Sequence, residues 1–173
     1  MAKAFLLDRD GTINVDTDYL MTPEGVRLID GVGEAIYKLR TAGYLAIVIS
    51  NQSGIARGFG TEQNVDMVNN QINTLLEEYN AKIDAFYYCP HHPEALVEQY
   101  KLDCNCRKPK TGLFERAIRD YKLEPNQCVA VGDKERDVKN VHKLGILESA
   151  VIGEGKMCQF RNLLECVDYY LKG

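Results

Sequence analysis

Apolar residues fall in short unbroken runs, separated by stretches in which they recur every three or four positions. Lys3 to Leu7 is the first run and stops at Asp8, and Tyr44 to Ile49 is the second and stops at Ser50 and Asn51. Ile83 to Tyr88, Gln127 to Val131 and Ala150 to Ile152 complete the series. Runs that do not alternate with polar residues suit strands buried on both faces. Between them, Val32, Ala35, Ile36 and Leu39 have helical spacing, and Gly43 can end that helix. Thr61 can cap a second helix carrying Val65, Val68, Ile72, Leu75, Leu76 and Tyr79 on one face. Phe114, Ala117, Ile118 and Tyr121 mark a third. Val138, Val141 and Leu144, followed by Gly145, mark a fourth, and Phe160, Leu163, Leu164, Val167 and Leu171 a terminal one.

This alternation predicts an α/β fold of the Rossmann-like, doubly wound kind, with a mainly parallel sheet and helices on both faces. Such sheets bind ligands beyond the carboxyl ends of their strands. The first, second and fourth runs end in Asp8-Arg9-Asp10, Ser50-Asn51 and Gly132-Asp133, so these polar ends should converge on one edge. With no internal repeat and no linker, the 173 residues predict one domain, 1–173.

Composition narrows the function. Hydrophobic residues make up 45% of the chain, enough for one core. A net charge of −4 leaves no basic surface for nucleic acid, so an anionic substrate must find its positive charge inside the site. No stretch approaches the ~20 apolar residues of a membrane-spanning helix. Met1 to Leu7 meets Asp8 too soon for a secretory signal. A cytoplasmic protein without a membrane partner is expected, and, with no apolar stripe demanding a dimer, a monomer.

Two constellations carry chemistry. In Asp8-Arg9-Asp10-Gly11-Thr12, two carboxylates one residue apart follow a strand. They can face one cleft and hold Mg²⁺, which wants oxygen ligands and keeps several waters. Gly11 lets the backbone turn away tightly. The second constellation is Cys89-Pro90-His91, followed after twelve residues by Cys104-Asn105-Cys106. Six cysteines in a reducing compartment read as metal ligands or free thiols. Three thiolates and an imidazole suit a closed tetrahedral zinc site, His92 being an alternative to His91. Cys128, Cys158 and Cys166 lie in apolar patterns and read as core thiols.

The chain resembles the haloacid dehalogenase-like phosphatases. Their first motif, D-x-D-G-[TV], is met by Asp8 to Thr12, the second by Ser50, the third by Lys108, and the fourth, G-D-x-x-x-D, by Gly132 to Asp137. Ser50-Asn51-Gln52-Ser53-Gly54-Ile55-Ala56-Arg57-Gly58 and Cys106-Arg107-Lys108-Pro109 narrow this to the capless heptose bisphosphate phosphatases, with the histidinol-phosphate phosphatases as close kin. Both groups carry a zinc loop, here 89–106, with His91 favoured over His92.

The resemblance implies a Mg²⁺-dependent hydrolase with a small phosphorylated sugar as substrate. It makes Asp8 the nucleophile, Asp10 the general acid and base, and Ser50 and Lys108 the stabilisers of the phosphoryl group. Mg²⁺ would rest on Asp8, the Asp10 carbonyl and Asp133, with Asp137 orienting from behind. Zn²⁺ would be held by Cys89, His91, Cys104 and Cys106. Asp16, Thr17, Asp18, Tyr19, Asn51, Gln52, Ser53, Arg107 and Lys134 would surround the sugar and its second phosphate. The gap between Asp8 and Ser50 leaves no room for a large cap, and loops would set specificity.

Overall fold

Strand β1 (Lys3–Leu7) shows why the apolar runs are extended. Phe5 and Leu7 pack in one layer and Ala4 and Leu6 in the other, and all four are buried. A helix could not bury every consecutive residue in this way against two opposed layers. The computed structural model describes residues 1–172.

Around β1 lie β2 (Tyr44–Asn51), β3 (Ala85–Cys89), β4 (Val129–Gly132) and β5 (Glu148–Val151), all parallel, in the order β3-β2-β1-β4-β5. Helices α1 (Val32–Thr41), α2 (Glu62–Leu76) and α5 (Leu163–Leu171) cover one face, through Ile36, Leu39, Ile72, Leu76, Leu163 and Val167. Helix α3 (Gly112–Tyr121) covers the other, through Leu113, Phe114 and Ala117. The chain winds outward from β1 to β3, crosses back, and continues from β4 to β5. The reversal puts the switch point between β1 and β4, where such sheets hold ligands.

The expected α/β architecture is observed, with local corrections. The fourth helix is only one turn, α4 (Glu135–Val138), and Val141–Leu144 is a separate 3-10 turn. Asn140 breaks the helix, its amide reaching Pro109 O at 2.8 Å. Tyr79 lies beyond α2 in a 3-10 turn and stays half exposed against Gly33 instead of extending the buried face. Strand β3 begins at Ala85, two residues later than expected, after Ile83 has bonded Asn73 of α2 through both backbone groups. Strand β4 likewise starts two residues late, because Pro125–Gln127 forms a 3-10 turn. Phe160 precedes α5, which Asn162 caps by accepting the Glu165 N–H.

Among the described residues no domain is inserted between β1 and β2 or between β2 and β3 beyond α1, α2 and their loops, so the cleft at the strand ends has no cap. No helix among them is long and apolar enough to cross a membrane.

Candidate active site

Asp8 leaves β1 with its N–H donating to Val131 O of β4 at 2.8 Å, which holds its carboxylate at the seam between the two strands. Lys108 arrives from the loop before α3. Its buried Nζ donates to Asp8 Oδ1 at 2.6 Å and to Ile49 O at 2.6 Å, and lies 2.9 Å from Asp137 Oδ1. Asn51, the last residue of β2, clamps the Lys108 backbone, accepting its N–H (2.9 Å) and donating to its carbonyl (3.1 Å). Asp137, in α4, accepts the Lys134 N–H at 3.0 Å and so turns back under the site.

The carboxylates of Asp8, Asp133 and Asp137 lie within 4.8 Å of one another. Gly11, at φ 87°, is required here because any Cβ would strike the Asp133 carboxylate. Gly132 makes the same allowance for Asp137. Burial pushes the Asp8 carboxyl up to about 7, against the pull of Lys108. Burial also raises Asp133, with Lys134 opposing and Asp137 adding to the rise. Burial works to lower Lys108, but Asp8 and Asp137 outweigh it and keep the ammonium.

Asp10 is held differently. Arg9 Nη2 donates to both its oxygens at 3.1 Å, Asn14 Nδ2 to Oδ1 at 2.9 Å and Gln52 Nε2 to Oδ2 at 2.8 Å. Burial works to raise this carboxyl, but Arg9, Asn14 and Gln52 win and hold it below the ordinary range. Gln52 Nε2 also reaches Ser50 Oγ at 2.7 Å, so the ends of β1 and β2 share one network.

Above these groups opens a cleft of about 340 Å³, lined by Asp16, Asp18, Tyr19, Asn51, Ser53 and Lys134 among others. Lys134 Nζ lies 3.5 Å from Asp16 and 3.7 Å from Asp133. Thr17 is exposed and outside the lining. Arg107 is half buried, and burial and the charges of Arg136 and Arg57 hold its guanidinium below its usual range.

Cys89 ends β3, and its Sγ lies 3.0 Å from Cys106 Sγ and 3.4 Å from Cys104 Sγ. His91 Nδ1 is 3.4 Å from Cys106 Sγ, and the four donor atoms fall within 4.8 Å of one another. His92 is outside the cluster; its Nδ1 accepts the Glu94 N–H at 3.1 Å. Cys128 and Cys166 are buried and Cys158 partly so.

The sequence pattern of residues 7–144 matches the family described as polynucleotide kinase 3 phosphatase. The chain is 41% identical over 155 residues to the D-glycero-beta-D-manno-heptose-1,7-bisphosphate 7-phosphatase of Haemophilus ducreyi, covering 89% of this chain and 85% of that one. The chain belongs to the HAD-like heptose-1,7-bisphosphate 7-phosphatase family. The enzyme of the same name from Haemophilus influenzae is 44% identical over 80% of this chain and 75% of its own. Among solved structures, the D,D-heptose 1,7-bisphosphate phosphatase of B. bronchiseptica, complexed with magnesium and phosphate, superposes with a TM-score of 0.83 at 25% identity, covering 99% of both chains.

Two groups of side chains here could each hold a metal ion. Three carboxylates and one ammonium leave the Asp8 cluster short of positive charge, and Asp133 Oδ1 is buried without a hydrogen-bond partner. An oxygen-seeking divalent cation answers both. The Cys and His donors suit zinc in the same way.

Sequence reasoning missed Arg9, Asn14, Arg57, His92 and Arg136. Arg9 is 1% exposed and also bonds Asn69 and Gln52. Its signal was visible in hindsight, since an arginine between two aspartates beside a strand must pair with one of them. Arg57, His92 and Arg136 line the cleft; in the sequence Arg57 stands only as part of the Ser50–Gly58 motif and His92 only as an alternative zinc ligand, and nothing local marks Arg136.

Proposed function

We propose that this protein removes the 7-phosphate of D-glycero-β-D-manno-heptose 1,7-bisphosphate, a step toward nucleotide-activated heptose and the lipopolysaccharide core. The reading is carried by the convergence of Asp8, Lys108, Asp133 and Asp137 at one switch point, in a chain about two-fifths identical to enzymes of that name.

Asp8 attacks phosphorus in line, forming an aspartyl-phosphate as the bond to the C7 oxygen breaks. Asp10 gives its proton to that oxygen, then takes one from the water that attacks the aspartyl-phosphate, releasing phosphate and restoring Asp8. In the free site the Arg9, Asn14 and Gln52 bonds favour ionised Asp10, the form that serves as base. An entering phosphate dianion raises its proton affinity, so the acid form comes with the substrate. Lys108 and Ser50 hold phosphoryl oxygens. Bound Mg²⁺, on Asp8, Asp133 and the Asp10 carbonyl, would supply charge neutralisation at the transferring group. Zn²⁺ on Cys89, His91, Cys104 and Cys106 would be structural, ordering a polar loop that has little apolar surface of its own. Asp16, Asp18, Tyr19, Asn51, Ser53, Arg107 and Lys134 surround the sugar.

Steady-state kinetics on both heptose bisphosphate anomers, heptose 7-phosphate, histidinol phosphate and an aryl phosphate test the assignment. We expect the highest kcat/KM on the β-bisphosphate, with the C7 phosphate lost. A histidinol phosphate value equal to or above it would remove the heptose assignment and leave a general phosphatase.

A further inference from the structure

Three guanidinium groups, Arg57, Arg107 and Arg136, share the wall of the cleft. No ion pair to a carboxylate engages any of them among the described residues. Arg107 has one long bond, to His91 O at 3.5 Å. Arg57 is the most constrained, because its Nε is buried and lacks a hydrogen-bond partner. A buried donor without an acceptor is unfavourable, and more so on a charged group. Leaving it so beside two like charges is unfavourable unless an anion completes the site.

The loop that supports Arg57 is itself strained. Asp18 and Tyr19 are consecutive non-glycine residues in the left-handed region, at φ 52° and 51°. Strain of that kind persists where the surroundings impose it, commonly at ligand sites. It puts the Tyr19 ring 5.6 Å from the Arg57 guanidinium carbon and 4.9 Å from the Phe59 ring. The aromatic face takes one side of the guanidinium and leaves its N–H edge for a ligand.

We infer that Arg57, seated on Tyr19 and flanked by Arg107 and Arg136, is a specificity-determining residue that grips the phosphate not being transferred. The inference rests on the bisphosphate reading above. A planar fork matches two phosphate oxygens, and the terminal amino groups of Arg57, on the side chain that lines the cleft, are the donors such a grip would use.

Wild type, Arg57→Ala and Arg57→Lys are compared by steady-state kinetics on heptose 1,7-bisphosphate and heptose 7-phosphate. Arg57→Ala is expected to cut the preference for the bisphosphate roughly ten- to a hundredfold, mainly through KM, as loss of a charged hydrogen bond does. Arg57→Lys should recover part of the preference, since it keeps the charge and loses the fork. Equal losses on both substrates, or an unchanged preference, overturn the inference. Should Arg57→Ala fail to fold, the same ratio measured with Arg57→Lys decides. If wild type does not turn over the heptose bisphosphate, the substrate reading falls by itself. Inhibition of aryl phosphate hydrolysis by fructose 1,6-bisphosphate and by fructose 6-phosphate then carries the test. Selective weakening of the bisphosphate in Arg57→Ala upholds the grip, and an unchanged ratio of the two inhibition constants removes it.

Discussion

The floor of the cleft and its wall treat charge in opposite ways. On the floor every cation has its carboxylate: Lys108 is bonded to Asp8 and lies against Asp137, and Arg9 holds Asp10. On the wall, Arg57, Arg107 and Arg136 have none among the described residues. Paired charges are pre-positioned and add little net attraction, which suits groups that must stay put while a reaction passes between them. Unpaired charges keep their attraction for a ligand. The contrast separates groups that act on any phosphate ester from groups that choose among esters.

Asp8→Asn tests the floor most severely. It keeps the shape of the side chain and removes the nucleophile, so turnover of every substrate should fall to background while circular dichroism is unchanged. Measurable turnover beyond trace deamidation would relocate the nucleophile. Asp10→Asn should slow the natural substrate by about 10²–10⁴-fold, the usual worth of a general acid and base. A phosphate ester with a very good leaving group should lose much less in its first step, seen as a retained burst. Equal losses would remove the acid assignment.

Zinc removal joins the two regions, because Cys106 directly precedes Arg107 and Lys108. Chelation should loosen 89–106 and lower activity on monophosphate and bisphosphate alike, and Mg²⁺ should not restore it. Metal analysis of purified protein should find about one zinc per chain. A zinc-free protein with full activity would confine the cluster to some other purpose. Arg107→Ala, by contrast, should act on choice alone, costing roughly ten- to a hundredfold in kcat/KM on the bisphosphate and far less on an aryl phosphate. Smallest, and outside both regions, is Thr61→Ala. Thr61 and Asn64 cap α2 reciprocally, at 3.3 and 2.8 Å. Its loss should lower stability by ~1 kcal/mol in urea unfolding and leave kinetics as they were.

The floor was far more legible in the sequence than the wall. Asp8, Asp10 and Asp133 stand at the ends of apolar runs, where the parallel-sheet rule brings ligands, and the Cys and His donors have metal-like spacing. The wall has no such grammar. Arg57 is a single cation in a turn and Arg136 one in the single turn of α4, and what distinguishes them is the absence of a carboxylate partner among the described residues, which only the fold reveals. The pairing of Arg9 with Asp10 is local, but its bond to Asn69, 60 residues away, is not. In the fold, β1 and β2 could be read because their runs are long and continuous. Val138, Val141 and Leu144 misled because a spacing of three fits a 3-10 turn as well as a helix, and the bond from Asn140 to Pro109 that decides between them is non-local.

The Asn51 clamp on Lys108 closes a chain separation of 57 residues. For a free chain, ends that far apart meet at an entropic cost of about 3–4 kcal/mol. Here, however, Asn51 is in register with Cys89 across β2 and β3, and Cys89 is grouped with Cys106, two residues before Lys108. Once a metal joins those thiols, the loop left to close is two residues long rather than 57. In polymer terms, the metal raises the local concentration of the lysine at its post. Residues 93–103, which lie between the His91 and Cys104 ligands, can then vary in length and sequence with little effect on where Lys108 comes to rest.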